Sequence, residues 1–391
     1  MKFQRPSILM WTRNWIKVAA GLVFLTITFI SIHMFYPSLE FDTNQKQLVW
    51  PPKGFYLRQQ ELYGNKTGLV PTEKSAMVAL VRNSDYHGIR KTIQQIEDRF
   101  NREYGYPYIL LNDEPFTTSF MRGLQRITKS RVHFGLLDKK AWGYSPYVSE
   151  SKVAKKLEEN KNRYIYGGSL SYRFMCRFQS GFIHKHPLLK SLDFYWRIEP
   201  DVSYYCDMPY DPFKMMKEND YKYGFIISPP EKSETVETLW KTTKEWIKKN
   251  KNLLPEKSFA SLILDDNNDY NMCHFWSNFE IVDLSLYRSK AYESYFQHLD
   301  RAGGFFYERW GDAPVHSIAA ALFLTKSQIH WFEDVGYNHI GYSHCPHPDL
   351  MAQRCTCKAE DAYPYGAHCH NLFKERDDIT KEELLRRLEI S

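Results

Sequence analysis

Between residues 76 and 137 apolar runs alternate with amphipathic helical patterns, and that alternation leaves few folds open. Ala76-Met-Val-Ala-Leu-Val81 reads as a strand, broken by Arg82-Asn-Ser-Asp85. Ile89, Ile93, Ile96 and Phe100 follow at helical spacing. Tyr108 to Leu111 is a second strand, Phe120, Leu124 and Ile127 mark a second helix, and Val132 to Leu137 is a third strand. Strand and helix exchanged at this interval predict an α/β fold with a mostly parallel sheet covered on both faces.

Further along, Phe194-Tyr-Trp-Arg-Ile-Glu-Pro-Asp-Val202 predicts another buried strand that ends in two carboxylates. Pro200 cannot donate to a sheet ladder, so the strand stops at or just before it. Glu199 and Asp201 are thereby placed at the strand's carboxyl end, where open α/β sheets bind their ligands. Two acids there point to a divalent cation and its phosphates, against the plainer alternative of a solvated turn. Asn271 to Ile281 is the second unusual stretch: it carries Cys273, His274 and Glu280 among aromatic residues, and an acid in such company is costly unless paired or used. The plain alternative is that Glu280 hydrogen-bonds a backbone turn. Trp310-Gly-Asp-Ala-Pro-Val-His316 leads into an Ala-rich helix over Ser317 to Leu324, which Asp312 would cap or precede. Another helix is predicted to start near Ser233, with Glu234 and Glu237 in its first turn and Lys248, Lys249 and Lys251 near its end.

Val18 to Met34 holds no Asp, Glu, Lys or Arg and, with Phe35 and Tyr36, is long enough to span a bilayer. Lys2, Arg5, Arg13 and Lys17 precede it and no acid does, which predicts a cytosolic N-terminus. Bulky residues follow it in place of a small-residue cleavage site, so the segment reads as an uncleaved anchor. The predicted layout is a cytoplasmic tail (1–17), a transmembrane signal-anchor (18–36), a Pro/Gly-punctuated stem (37–73) and a lumenal domain (74–391). The sequon Asn65-Lys-Thr67 fits that placement. The net charge of +6 comes without a long basic tract, so nucleic-acid binding is not expected. Seven cysteines lack a paired C-x-x-C framework, which favours disulfides over zinc and leaves at least one unpaired within the chain. Cys273, in its aromatic run, is the expected buried thiol.

Arg82-Asn-Ser-Asp85, Glu97-Asp-Arg-Phe-Asn101, Leu111-Asn-Asp-Glu-Pro-Phe116, Met175-Cys-Arg-Phe178, Trp196 to Val202, Cys273 to Ile281, Phe306 to Ser317 and His344-Cys-Pro346 occur in one order over residues 74–371. Together they resemble the fungal Golgi α-1,2-mannosyltransferases of glycosyltransferase family 15. The resemblance implies a GT-A type fold, GDP-mannose as donor, Mn²⁺ as metal, mannosylated glycoproteins as acceptors, and a single-pass type II protein of the Golgi membrane. It implies Glu199 and His339 as metal ligands and Glu280 as the nucleophile, or the group that stabilises an oxocarbenium-like species. It also implies Tyr172 beside the reaction centre, Asp312 as an acid lining the cleft, and Arg82 and Asp85 around GDP. Asp201 is expected to support the donor site from behind Glu199, and His344 to be a structural partner. The implied reaction is retaining transfer to mannose residues of O-linked and N-linked glycans. A mannosylphosphate transferase and an inactive glycan-binding homologue are the alternatives. A soluble zinc-binding protein conflicts with the anchor.

Overall fold

The computed structural model describes residues 70–346, 353–358, 360, 362 and 368–390. The expected anchor, most of the stem and the Asn65 sequon lie outside them. Among the described residues, no helix is long and apolar enough to cross a membrane.

Twelve strands run in chain order among the described residues: β1 Ser75–Leu80, β2 Tyr108–Asn112, β3 Val132–Leu136, β4 Phe194–Arg197, β5 Ser203–Tyr204, β6 Tyr223–Phe225, β7 Lys257–Ser258, β8 Glu280–Asp283, β9 Ile329–Trp331, β10 Tyr337–His339, β11 Tyr342–His344 and β12 Ile379–Thr380. Seven form the main sheet, ordered β3-β2-β1-β4-β8-β6-β9. β3, β2, β1 and β4 are mutually parallel, as are β6 and β9. β8 runs antiparallel to both β4 and β6. The expected mixed, mostly parallel α/β sheet is therefore what forms, with β8 as its reversed member.

Alternate residues feed two cores, as a sheet covered on both faces requires. Met77, Leu110, Trp196 and Ile281 pack with the helices Tyr86–Ile96 and Thr118–Gln125. Val78, Ile109, Tyr195 and Val282 pack with the helices Leu170–Gly181, Leu239–Lys249, Lys290–Ala302 and Asp312–Phe323. A smaller sheet, β11-β10-β5, stands at the end of β4, and β7 pairs with β12.

Two sequence expectations change here. The helix expected from Ser233 begins at Leu239 and is preceded by a short 3₁₀ turn, Ser233–Thr235. Contacts with the segment before the helix Asp312–Phe323 take the backbone out of helical register: Glu308 accepts from Thr238 N–H at 3.1 Å, and Thr235 C=O accepts from Arg309 N–H at 3.3 Å. Cys273 is not a thiol. It is bonded to Cys369, and Cys206–Cys355 and Cys345–Cys357 form two further disulfides. The free cysteine among the described residues is Cys176, buried in the helix Leu170–Gly181.

Candidate active site

The parallel strands β1, β2 and β4 deliver their carboxyl ends to one cavity of about 580 Å³. Leu80 ends β1 and Val81, Arg82 and Asp85 follow it, Asn112 ends β2 and Asp113 follows it, and Arg197 ends β4 with Glu199 two residues beyond. This is the edge at which an open α/β sheet exposes free backbone groups and loop side chains to a ligand.

Glu199 leaves the strand just before Pro200, as the sequence predicts, and its backbone C=O accepts from Thr92 Oγ1 at 2.8 Å. Its carboxylate takes two bonds from Arg197, from Nε at 2.9 Å and Nη2 at 2.5 Å. The other oxygen, Oε2, faces His339 Nε2 at 3.7 Å. β10 carries His339, and Trp276 packs edge-on to its ring at 5.1 Å between centroids. Burial, followed by the nearby Arg197 charge, keeps the imidazole below its ordinary pKa despite Glu199. A neutral imidazole has a lone pair to give a metal. His339 Nδ1 is buried without a hydrogen-bond partner. Glu199 and His339 thus offer one oxygen and one nitrogen donor, a mixed set that suits a divalent cation of intermediate softness. No three His, Cys, Asp or Glu side chains converge among the described residues, so ligand oxygens would have to complete such a shell.

Asp312 opens the helix Asp312–Phe323 without capping it, since Gly311 is the N-cap residue. Its carboxylate turns instead to Arg197 Nη1 at 2.5 Å and Ser277 Oγ at 2.7 Å. Burial pushes the Asp312 pKa up, but the Arg197 and His316 charges and the hydrogen bonds from Ser277 and Arg197 together outweigh it and leave the group below the usual carboxylate range. Arg197 therefore bridges the acid beside His339 and an acid on the cavity wall. Tyr172 also lines the cavity and stacks on Tyr166 at 4.5 Å. Its hydroxyl accepts from Arg309 Nη1 at 3.0 Å, and burial raises its pKa well above the ordinary value. Arg82 donates to Ser171 Oγ at 2.5 Å, and its backbone N–H donates to Asp85 Oδ2 at 2.8 Å, which folds the loop after β1.

Six expected residues meet in this cavity: Arg82, Asp85, Tyr172, Glu199, Asp312 and His339. Two do not. Asp201 is exposed, sits in the left-handed region at φ 60°, and packs against Gly88, where a Cβ would come within 2.7 Å of its carboxylate. The turn forced by Pro200 sends it to the helix behind Glu199. Glu280 is 0% exposed and is not among the residues that line the cavity. As the first residue of β8 it pairs with Arg197 across the sheet. Its carboxylate accepts from the hydroxyls of Tyr195 and, at 2.7 Å, Tyr223, and lies 3.0 Å from His316 Nδ1. Burial raises its pKa, yet His316 and Arg197 hold it below the ordinary value. The carboxylate expected to be the nucleophile is thus enclosed by side chains in this structure.

Arg197, Ser277, Glu231 and Arg309 were not anticipated. Arg197 left one trace in the sequence, a charge inside an otherwise apolar strand, which is costly unless paired. Arg309 reaches Glu231 at 3.6 Å as well as Tyr172. His344 is structural as expected, its Nε2 lying 2.8 Å from the Glu333 carbonyl oxygen.

Residues 52–378 match the family model described as "Glycolipid 2-alpha-mannosyltransferase". The chain is 46% identical over 317 residues to the glycolipid 2-alpha-mannosyltransferase of Saccharomyces cerevisiae, spanning 81% of this chain and 71% of that protein. It is 49% identical over 315 residues to glycolipid 2-alpha-mannosyltransferase 1 of Candida albicans, spanning 79% and 73%. Its fold is similar to that of core-mannan synthase A from Aspergillus fumigatus, solved in a Mn/GDP form, with a TM-score of 0.73 and 34% identity over 84% of this chain and 89% of that one. The chain belongs to the glycolipid 2-alpha-mannosyltransferase family.

Proposed function

We propose that this protein is a Mn²⁺-dependent, retaining α-1,2-mannosyltransferase that moves mannose from GDP-mannose to mannose residues of O-linked and N-linked glycans. One observation carries the reading: Glu199 and His339 face each other at 3.7 Å in a cavity also lined by Arg82, Asp85, Tyr172 and Asp312. The core-mannan synthase with the similar fold was solved with Mn and GDP, and the relatives' names describe transfer of mannose itself, which favours mannose over mannosylphosphate as the transferred group.

Each residue then has a task. Glu199 and His339 would hold the metal, which would supply positive charge to offset that developing on the leaving GDP. Arg82 and Asp85 shape the loop that receives the nucleotide. Asp312 stays ionised and faces the cavity, so its carboxylate offsets positive charge developing at the anomeric carbon. Asp312 takes this task in place of Glu280, whose carboxylate is enclosed. Tyr172 keeps its proton at neutral pH and serves as a neutral hydroxyl oriented by Arg309. Three disulfides fit an oxidising compartment and support the type II Golgi topology expected from residues 18–36.

The test is a donor and acceptor screen on the detergent-solubilised full chain, with linkage analysis of the product. The expected product is an α-1,2-linked mannoside formed from GDP-mannose with Mn²⁺ present. A phosphodiester-linked product, or transfer that persists in chelator, would overturn the reading.

A further inference from the structure

We infer that the segment Arg354-Cys-Thr-Cys357 is a positioning strap that sets His339 for the metal through two disulfides. The inference rests on the reading of Glu199 and His339 as the metal pair. The sheet that presents His339 is small, since β5 has two residues and β10 and β11 have three each. Strands this short cannot hold a register by their own ladder bonds. β10 lies in the middle, between β11 and β5.

The strap closes this sheet from both edges. Beside β5 it forms a further strand-like rung, with Cys355 bridged to Cys206 in antiparallel pairing. Tyr205 C=O accepts from Thr356 N–H at 2.9 Å, and Arg354 C=O accepts from Asp207 N–H at 2.8 Å. The Cys206–Cys355 disulfide then makes that edge covalent. Two residues on, Cys357 reaches the opposite edge and bonds Cys345, which immediately follows β11. One tripeptide, Cys355-Thr-Cys357, therefore ties both flanks of the strand that carries His339.

Gly336 shows how tightly the clasp closes on β10. It immediately precedes the strand, its N–H donates to Cys206 Sγ at 3.1 Å, and its C=O accepts from Tyr205 N–H at 2.8 Å. A Cβ at Gly336 would come within 2.7 Å of Cys206 Sγ and 3.3 Å of Cys357 Sγ, so sulfurs of both disulfides pack on this one residue. Arg99, from the other side, donates to Asp207 at 2.9 Å and to Thr356 Oγ1 at 3.3 Å and locks the strap to the main domain. The strap thus fixes where β10 starts, and His339 is the third residue of that strand.

The experiment compares Mn²⁺ affinity, read by the EPR signal of free Mn²⁺, with melting temperature in the full-length protein. The Cys345→Ser/Cys357→Ser double variant is expected to bind Mn²⁺ about tenfold more weakly or worse, the order seen when a ligand's outer support is lost. Arg99→Ala keeps all three disulfides and is expected to weaken Mn²⁺ binding in the same direction by a smaller factor, which preserves the test where the cysteine variant does not fold. The Cys273→Ser/Cys369→Ser pair is the control for general stability. It should lower the melting temperature while leaving Mn²⁺ affinity within about twofold of wild type, because neither cysteine belongs to the β11-β10-β5 sheet or to the bridge that flanks it. Unchanged Mn²⁺ affinity in the Cys345/Cys357 and Arg99 variants would overturn the strap, as would an equal loss in the control pair. Absence of Mn²⁺ binding by the wild-type protein would overturn the metal reading together with it.

Discussion

Arg197 Nη1 lies 2.5 Å from Asp312 Oδ2, and the same guanidinium holds Glu199, so one buried cation ties together the two acids assigned to the metal and the sugar. Asp312→Asn keeps the size and the Ser277 contact but removes the charge. Turnover should fall by about 100-fold or more, the usual scale for losing one preorganised electrostatic group, while GDP affinity changes little. The measurement is kcat beside GDP binding by calorimetry. Near-normal turnover would remove Asp312 from the chemistry.

Breaking the same ion pair from the other side should damage folding. Arg197→Met leaves Asp312 buried at 4% exposure without its cation. Removing one partner of a buried pair costs roughly 3–5 kcal/mol, because the remaining charge stays desolvated. Denaturant unfolding would read this directly, and the double variant with Asp312→Leu should recover part of the loss.

Glu280 makes a contrasting prediction. Its carboxylate joins Tyr195 on β4, Tyr223 on β6 and His316 on the helix that starts with Asp312. Glu280→Ala should therefore lower the melting temperature by several degrees, in line with an unfolding penalty of a few kcal/mol, and Glu280→Gln by less. A Glu280→Gln protein with wild-type melting and GDP binding but no transfer would restore the nucleophile reading.

Removal of the metal should abolish transfer, and Glu199→Ala and His339→Ala should each weaken Mn²⁺ binding by at least about tenfold, since each removes one of the two protein donors. Calorimetric titration of the purified variants with Mn²⁺ is the check. Equal affinity in both variants and wild type would place the metal elsewhere.

Stability should fall on mild acidification. Burial holds His184 and His370 down to about 4 in the folded state, against an ordinary value near 6.5. Between those values the unfolded chain binds protons that the folded chain does not, so stability rises with pH across that window. It is fully present above about 6.5 and is lost as pH drops toward 4, by up to roughly 3 kcal/mol per histidine. Denaturant midpoints at neutral pH and near pH 4.5 should differ accordingly. His184→Gln should flatten part of the slope.

Much of the frame was legible in the chain alone because its signals are local. Apolar runs broken by polar turns located β1, β2, β3 and β4 to within a residue or two. Pro200 put Glu199 at a strand end, and the family motifs brought six site residues that share one cavity. Tertiary structure alone decided the rest, because it depends on pairs far apart in sequence. Arg197 meets Asp312 across 115 positions and Cys206 meets Cys355 across 149. No periodicity encodes which acid faces a cavity and which is sealed away from it. In sequence Glu280 reads as an acid among aromatic neighbours and Asp312 as the cap of a helix, but the pleat of β8 turns the first into a cage of tyrosines. The first turn of the helix Asp312–Phe323 delivers the other to Arg197 and the cavity wall.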